Sequence, residues 1–333
     1  MLFVARRLGF ACLQLVGLAL LVFFTIRAMP ADPVARLVGM NASREAYLSS
    51  QHALGLDRPV WVQLVAWVSD VAHGDFGRSW VSGAPVMQEI GRTLPVTIEL
   101  ITISFVLAFL VSVPLGMLCA LRPGGTADKA TFVYSLFAGS QPEFWWGLLF
   151  IYIFFAVLGW APAPLGRLDP MLRPPPVVTG FITVDTLLAG DWVAFRNGVH
   201  HLMLPVATKV FVLSGPIIKM VRQNMVRALG SDYVLYARAS GLMPRQVAMV
   251  ALKNALAPAL TLLGALYGYV LGAAVLIETV FSLGGIGQYA VRSVLAFDYP
   301  AIEAVVLVIA AISLFVYLVL DLVHAWLDPR LSQ

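Results

Sequence analysis

The chain has 333 residues, of which 60% are hydrophobic and only 12% are charged, and its mean hydropathy is +0.85. Soluble domains carry roughly 25% charged residues, so this composition excludes an ordinary soluble globular protein and indicates a membrane protein with several spans. The net charge of +4 forms no basic stripe, so a nucleic-acid-binding protein is not indicated. Cys12 and Cys119 both fall in apolar runs and predict neither a disulfide framework nor a metal site.

Six apolar runs are each long enough, at about 18 residues or more, to cross the hydrocarbon core of a bilayer. They lie near Leu8–Arg27, Ile98–Leu121, Thr131–Leu158, Leu202–Val221, Ala257–Glu278 and Ala301–Trp326. The predicted fold is therefore an all-α polytopic membrane protein with six transmembrane helices. Arg6 and Arg7 precede the first run, and further basic residues follow the second and fourth runs, so the positive-inside rule places both termini in the cytoplasm. Pro95 is predicted to open the second span.

The segment between the first two runs is too long to be a simple turn, and it is predicted to lie outside the cell. Within it, apolar residues recur at helical spacing and predict an amphipathic helix; they are Trp61, Leu64, Val65, Val68 and Ala72. Such a helix could cap a translocation path, offer a surface to a periplasmic partner, or rest on the bilayer interface. The sequence leaves these alternatives open.

A polar island, Asp232–Pro244, separates the fourth and fifth runs and predicts a short helix at the membrane surface. Asp232 suits a first helical turn, where the helix dipole favours a carboxylate. Gly241 offers the left-handed residue that ends a helix, and Pro244 can start the next one. One face of the helix is predicted to carry Tyr233, Tyr236, Ala237 and Ser240. Such a helix suits docking into a groove of another protein.

This island resembles the EAA loop of ABC-transporter permeases, the cytoplasmic coupling helix that docks on the ATP-hydrolysing subunit. The matching residues are Ala237-Arg238-Ala239, then Gly241 and, further on, Pro258. The Tyr after Asp232, the Lys-Asn-Ala that precedes Pro258, and Glu278-Thr-Val-Phe with two later glycines are similar to the dipeptide/oligopeptide/nickel branch of these permeases. The resemblance covers nearly the whole chain and is most specific from Leu202 onward.

The resemblance implies a type I ABC importer permease fold. It divides the chain into an N-terminal anchor helix (1–28), a periplasmic segment (29–94) and a permease core with five transmembrane helices (95–328), whose coupling loop covers 222–256. The residues implied to contact the ATPase subunit are Asp232, Tyr233, Tyr236, Ala237, Arg238, Ala239, Ser240, Gly241 and Leu242.

The resemblance also implies the surroundings of the chain. It predicts a multi-pass protein in the lipid bilayer of the bacterial inner membrane, paired with a second homologous permease. Two ABC ATPase subunits and a periplasmic substrate-binding protein complete the importer, and no nucleic acid is involved. The implied cargo is a dipeptide or oligopeptide, with nickel or glutathione as alternatives within the same branch.

Motifs of enzymes and nucleotide-binding proteins are missing from the sequence. No Gly-x-x-x-x-Gly-Lys-[Ser/Thr] loop occurs, so ATP and magnesium are expected on partner subunits, and no cofactor or metal on this chain. No hydrolase or zinc-protease motif appears, so the chain is not predicted to be an enzyme. His200 and His201 are predicted to lie at a membrane edge, since no third metal ligand is apparent.

Ionisable residues at membrane depth are costly, which makes them candidates for a transport path. Glu99, Glu303 and Asp321 lie near span ends, so snorkelling or helix capping is expected of them. Four polar residues are the candidates for the path: Gln141, Glu143, Lys209 and Glu278. Lys209 is predicted to meet a carboxylate on another span or the C-terminus of a substrate.

Two other classes of protein remain open. Glu143, Lys209 and Glu278 could form the relay of a proton-coupled secondary carrier, although no inverted repeat is visible in the hydropathy. A non-transporting membrane scaffold or receptor is the other alternative, and such a protein would not need a coupling helix.

Overall fold

The computed structural model describes residues 2–30, 32–39 and 42–327, and the side chains of all of these except 2–6, 8, 257–265, 269 and 320–327. The side chains of Pro258 and Asp321, and residue 328, where the permease core was predicted to end, lie outside this description. The helices are α1 (Leu2–Ala28), α2 (Pro33–Val38), α3 (Arg44–Ala53), α4 (Val60–Ala72), α5 (Val86–Leu121), α6 (Thr126–Gly139), α7 (Glu143–Phe150), a π-helix (Ile151–Val157), α8 (Ile182–Leu188), α9 (Trp192–Leu229), α10 (Asp232–Ala239), α11 (Pro244–Val280), α12 (Ile286–Ala296) and α13 (Tyr299–Leu327). Over the described ranges the fold is all-α, as predicted, with one isolated β-bridge.

Within the part of the chain that the structure describes, four helical segments are long and apolar enough to cross a membrane: Gly9–Ala28, Val86–Leu121, Trp192–Leu229 and Tyr299–Val319. They correspond to the first, second, fourth and sixth predicted runs. The third run is split, because α6 ends at Gly139 and α7 begins at Glu143, where Pro142 interrupts the helix. The fifth run lies within α11. The total of six spans therefore stays a prediction.

The prediction that Pro95 opens the second span is wrong, because α5 begins at Val86 and runs through Pro95. A proline inside a helix removes one hydrogen bond and displaces the carbonyl four residues earlier. Here that carbonyl belongs to Gly91, which is exposed, so solvent or lipid headgroups can satisfy it. Pro205 and Pro216 likewise lie inside α9, which extends to 38 residues.

The described residues of 1–94 and 284–318 form one compact unit. Its core consists of two apolar clusters from α1, α5, α12 and α13, with members that include Val22, Ile26, Val86, Ile90, Ile286, Ala301, Ile302 and Val305. Glu303 lies beside this core and is only 2% exposed, so the expectation that it snorkels is wrong. Its Oε1 atom instead lies 2.5 Å from the guanidinium Nη1 of Arg27 in α1.

The described residues of 95–283 belong to a second compact unit, in which α6, α7 and α11 pack against α9. Small residues permit the closest approaches between its helices. A Cβ atom on Gly116 in α5 would lie 2.8 Å from Cβ of Val221 in α9, and one on Gly215 would lie 3.3 Å from Cα of Ser135 in α6. The position of α9 therefore depends on glycine at these two contacts.

Candidate functional site

The polar island folds as the predicted short helix. α10 begins at Asp232 and ends at Ala239, and α11 begins at Pro244. Gly241 has φ of +78°, the left-handed conformation that the sequence indicated. The N–H of Gly241 donates to the carbonyl of Arg238 and the N–H of Leu242 donates to that of Ala237, which is the Schellman pattern of a helix end.

The segment after α10 is fixed by a side chain as well. The Oε1 atom of Gln246 accepts a hydrogen bond of 2.9 Å from the backbone N–H of Met243, the residue before α11. This bond satisfies one of the N–H groups that a helix start leaves without a backbone partner. The link between α10 and α11 is therefore defined at both ends, which suits a rigid connector.

α10 rests on the second unit through one side. Val234 is fully buried and Ala237 is 6% exposed, and α10 contacts both α9 and α11. The prediction that Ala237 lies on the exposed face is therefore wrong: residues 234 and 237 are one helical turn apart and both point inward. The sequence pattern marked small and aromatic residues alike as surface and could not show which side meets the bundle.

The exposed side of α10 continues into the following turn. Large apolar side chains remain uncovered there, with Tyr236 75% and Leu235 66% exposed. We call these residues the coupling surface: Tyr233, Leu235, Tyr236, Leu242 and Met243. Sequence reasoning missed Leu235 and Met243, although both are apolar residues in an otherwise polar segment, which is the signal that could have identified them. Asp232, Arg238, Ala239, Ser240 and Gly241 are exposed beside this surface.

An ion pair that the sequence did not reveal connects two helices of the second unit. Asp128, near the start of α6, accepts hydrogen bonds from the guanidinium of Arg222 in α9, one of them 2.7 Å long. It also accepts from the N–H of Gly124 at 2.9 Å, in the turn between α5 and α6. These bonds lower the pKa of Asp128 below its usual value, and the bond from Arg222 has the largest effect. Asp128 thus joins α6, α9 and the turn that precedes α6.

Lys209 meets a carboxylate from another helix, one of the two partners that the sequence predicted for it, and that carboxylate belongs to Glu143. Lys209 is completely buried, and its Nζ atom lies 3.0 Å from Oε1 of Glu143, at the start of α7. The break in the third run allows this contact, because it places the first turn of α7 beside the middle of α9. A buried ammonium without a partner would be strongly destabilising, so the pair accounts for a lysine at this depth.

The remaining two path candidates do not join this pair. Gln141 is exposed in the break before α7. Glu278 is fully buried in α11, where its Oε1 accepts a hydrogen bond from the hydroxyl of Thr97 in α5. The structure therefore brings together two of the four predicted residues and places the other two in separate surroundings.

Glu99 caps a helix, which is one of the two roles, snorkelling or helix capping, that the sequence predicted for it. Its carboxylate accepts hydrogen bonds from the N–H groups of Ile182 and Thr183, at 3.0 and 2.8 Å, and from the Thr183 hydroxyl at 2.6 Å, all at the start of α8. Arg167 lies 3.3 Å from the same carboxylate. These bonds fasten the loop between the third and fourth runs to α5.

Asp185 organises the same loop. Burial would raise its pKa, but hydrogen bonds from the backbone N–H groups of Thr179, Gly180 and Val178 and from the Thr179 hydroxyl outweigh it, so the pKa of Asp185 is lowered.

Farther along, His200 Nε2 lies 3.0 Å from the carbonyl of Trp160. Among the described side chains, no group of three His, Cys, Asp or Glu residues could hold a metal ion.

An open cleft of about 1140 Å³ lies along α5 and α9. Most of its lining is apolar, including Leu107 and Val111 of α5 and Met203 and Val206 of α9. Polar side chains from the first turns of α9 also line the cleft; they are Arg196, Asn197 and His200.

Comparison with known proteins gives two matching family models. The model for binding-protein-dependent transport system inner membrane components matches residues 112–333, and the model for the N-terminal part of such membrane components matches residues 1–101. Together they cover almost the whole chain.

Similar proteins include three peptide permeases. The probable D,D-dipeptide transport system permease protein DdpB of Escherichia coli is 38% identical over 96% of this chain and 94% of its own length. The di/tripeptide transport system permease protein DppB of Pseudomonas aeruginosa is 37% identical over 99% and 98%. The dipeptide transport system permease protein DppB of Escherichia coli is 34% identical over the same shares. The chain therefore belongs to the family of binding-protein-dependent transport system inner membrane components, as a dipeptide-permease-like subunit of an ABC importer.

Proposed function

We propose that this chain carries di- or oligopeptides across the bacterial inner membrane together with a second, homologous permease, the path lying between the two. A periplasmic binding protein delivers the peptide, and two ABC ATPase subunits hold ATP and magnesium while this chain binds no cofactor. The peptide cargo is supported by the names of relatives that align over nearly their full length. Nickel or glutathione remains the alternative cargo within the same branch.

The observation that carries the proposal is the coupling surface. It is an uncovered apolar patch on a short helix whose other side is buried on α9 and α11. Exposed apolar patches of this kind mark protein interaction sites. Closure of the ATPase pair on ATP would move α10, and the long helices α9 and α11 would pass that motion to the path. This assignment places α10 and both chain termini in the cytoplasm.

Four polar residues are proposed to lie along the path: Gln141, Glu143, Lys209 and Glu278. Lys209 and Glu143 present opposite charges at the helix break, and a peptide carries opposite charges at its two ends. The role we assign to the pair is that, during transport, Lys209 and Glu143 exchange each other for the oppositely charged ends of the peptide. Lys209 and Glu278 are fully covered in the described conformation, so they are expected to become accessible only when the path switches state.

Tyr236→Asp tests the coupling role, since it places a charge at the centre of the coupling surface without changing the buried side of α10. The variant is expected to assemble with the second permease but to lose more than tenfold in ATPase-subunit recovery and in uptake of a radiolabelled dipeptide. Tyr236→Phe is the matched control and should behave as the wild type. Normal uptake and normal ATPase recovery in Tyr236→Asp would refute the coupling role.

The cargo needs a separate experiment. The substrate-binding protein encoded with this permease is purified and its retained ligand is identified by mass spectrometry. A di- or oligopeptide supports the proposal, whereas retained nickel or glutathione supports the alternative cargo.

A further inference from the structure

The helix α4 has an unusual environment for an apolar segment. It has 13 residues, which the structure describes completely, and none of them is buried. At 1.5 Å per residue it is about 20 Å long, too short to span a hydrocarbon core of about 30 Å. The sequence left open whether this helix caps a path, meets a periplasmic partner or rests on the bilayer.

One side of α4 is attached to α1. Oε1 of Gln63 accepts a hydrogen bond of 3.0 Å from Nε of Arg27, and the ring of Trp67 lies 5.3 Å from that of Phe23. Gln63, Trp67 and Asp70 follow one another at helical spacing and line a cavity of about 230 Å³ that also contains Arg27 and Glu303. Gln63 and Asp70 of α4 thus face its own unit.

The opposite side of α4 is apolar and uncovered. Trp61 is 68%, Val65 70% and Val68 46% exposed, and these positions fall on one face with Ala72. None of the four side chains is charged. The apolar stripe that the sequence indicated is therefore the side that the unit leaves exposed.

This uncovered face continues the surface of a membrane span. The ring of Trp61 lies 5.6 Å from that of Phe24 near the end of α1. Farther along α1, within the candidate span Gly9–Ala28, Leu13 and Leu21 are more than 60% exposed. Apolar side chains on the outside of a span lie against lipid, so the face of α4 begins where a lipid-covered surface ends.

We propose that α4 lies in the membrane interface, with Trp61, Val65 and Val68 inserted among the lipid acyl chains at the level where α1 ends. Tryptophan prefers this depth because its ring is amphipathic, and an in-plane helix can bury one apolar face there. A transient docking surface for a soluble binding protein would instead carry a polar rim. An entirely apolar face would be costly to expose whenever that protein departs.

The test uses the complete importer in nanodiscs of phosphatidylethanolamine and phosphatidylglycerol, with a single cysteine labelled by an environment-sensitive nitrobenzoxadiazole dye. Cys119 is replaced by alanine throughout, and Cys12→Ala is added where the dye is placed elsewhere. The test position is Val65→Cys. Native Cys12, exposed on α1, reports lipid, and Ser49→Cys on the polar helix α3 reports water.

Without binding protein, the dye at position 65 is expected to emit to the blue of the dye at position 49. It should lose fluorescence to nitroxide-labelled phospholipid, as at position 12, and resist a water-soluble quencher. Three outcomes would overturn the proposal: quenching from the aqueous side as at position 49, a blue shift only after the binding protein is added, or protection from both quenchers, which would indicate cover by another subunit. The inference concerns the first unit alone and does not depend on the coupling role of α10.

Discussion

α4 and α10 are both short helices with exposed apolar side chains, but they are held in different ways. α10 buries Val234 and Ala237 on two long helices and ends in a Schellman turn. α4 buries no residue and is attached through the hydrogen bond of Gln63 and two aromatic contacts, of Trp67 with Phe23 and of Trp61 with Phe24.

The exposed surfaces differ as well. On α10 the apolar patch is bordered by Asp232 and Arg238, as expected of a protein interface with a polar rim. On α4 an unbroken uncharged stripe runs along the helix, as expected of contact with lipid. The comparison teaches that exposed apolar area alone does not identify the partner of a helix. A protein partner is indicated where the helix is firmly packed on its own unit and charged residues border the apolar face, and lipid is indicated where neither holds.

The largest expected effect is that of Gly241→Val, which attacks the rigid attachment of α10. A β-branched residue at φ of +78° costs about 1–2 kcal/mol and opposes the Schellman turn. Loss of most dipeptide uptake and of ATPase-subunit recovery is expected, measured in membranes with equal permease content. Gly230→Ala, between α9 and α10 with φ of −89°, is the control and should retain both. Equal losses in the two variants would mean that left-handed geometry is not the cause.

A smaller effect is expected of Gln63→Leu, which attacks the attachment of α4. The change removes the bond from Arg27 and one of 2.9 Å that the Gln63 amide donates to the carbonyl of Arg58. Losing a hydrogen bond to a charged group costs roughly 1.5–3 kcal/mol. The melting temperature of the complex should fall, while ATPase recovery stays normal. Ser69→Ala, on the same helix, is the control and should change neither the melting temperature nor the ATPase recovery. Reduced ATPase recovery in Gln63→Leu would contradict the inference that α4 and α10 have independent roles.

The smallest expected effect is a dependence of stability on pH that involves Asp128 in the second unit and not Gln63 in the first. The pKa of Asp128 is lowered in the folded protein, so the stability it contributes is complete above its unfolded pKa and is lost as pH falls through the folded pKa. The difference in melting temperature between the wild type and Asp128→Asn should therefore stay constant down to about pH 5 and narrow as pH falls from about 5 through the ordinary aspartate pKa of 3.8 and below it. The difference for Gln63→Leu should not follow that course, because the Gln63 amide does not titrate there. A constant gap for Asp128→Asn would show that the carboxylate contributes no charge-dependent stability.

Local signals predicted much of this molecule. Apolar runs gave the membrane class and four of the helices that can span, and the start and end of α10 followed from Asp232, Gly241 and Pro244. These features depend on residues within one or two helical turns. The expectation for Pro95 was wrong because the exposed Gly91 lets α5 accommodate a proline, a circumstance set by surroundings and not by spacing.

The sequence by itself determined that the chain is a helical membrane protein with a short polar-flanked helix between two long ones. Tertiary structure decided which side of that helix is exposed, and it chose the partners of the charged residues. Lys209 meets Glu143 across 66 positions of the chain, and Arg222 meets Asp128 across 94. No periodicity encodes such pairs, since they arise only when separate helices pack and each buried charge must find an opposite one.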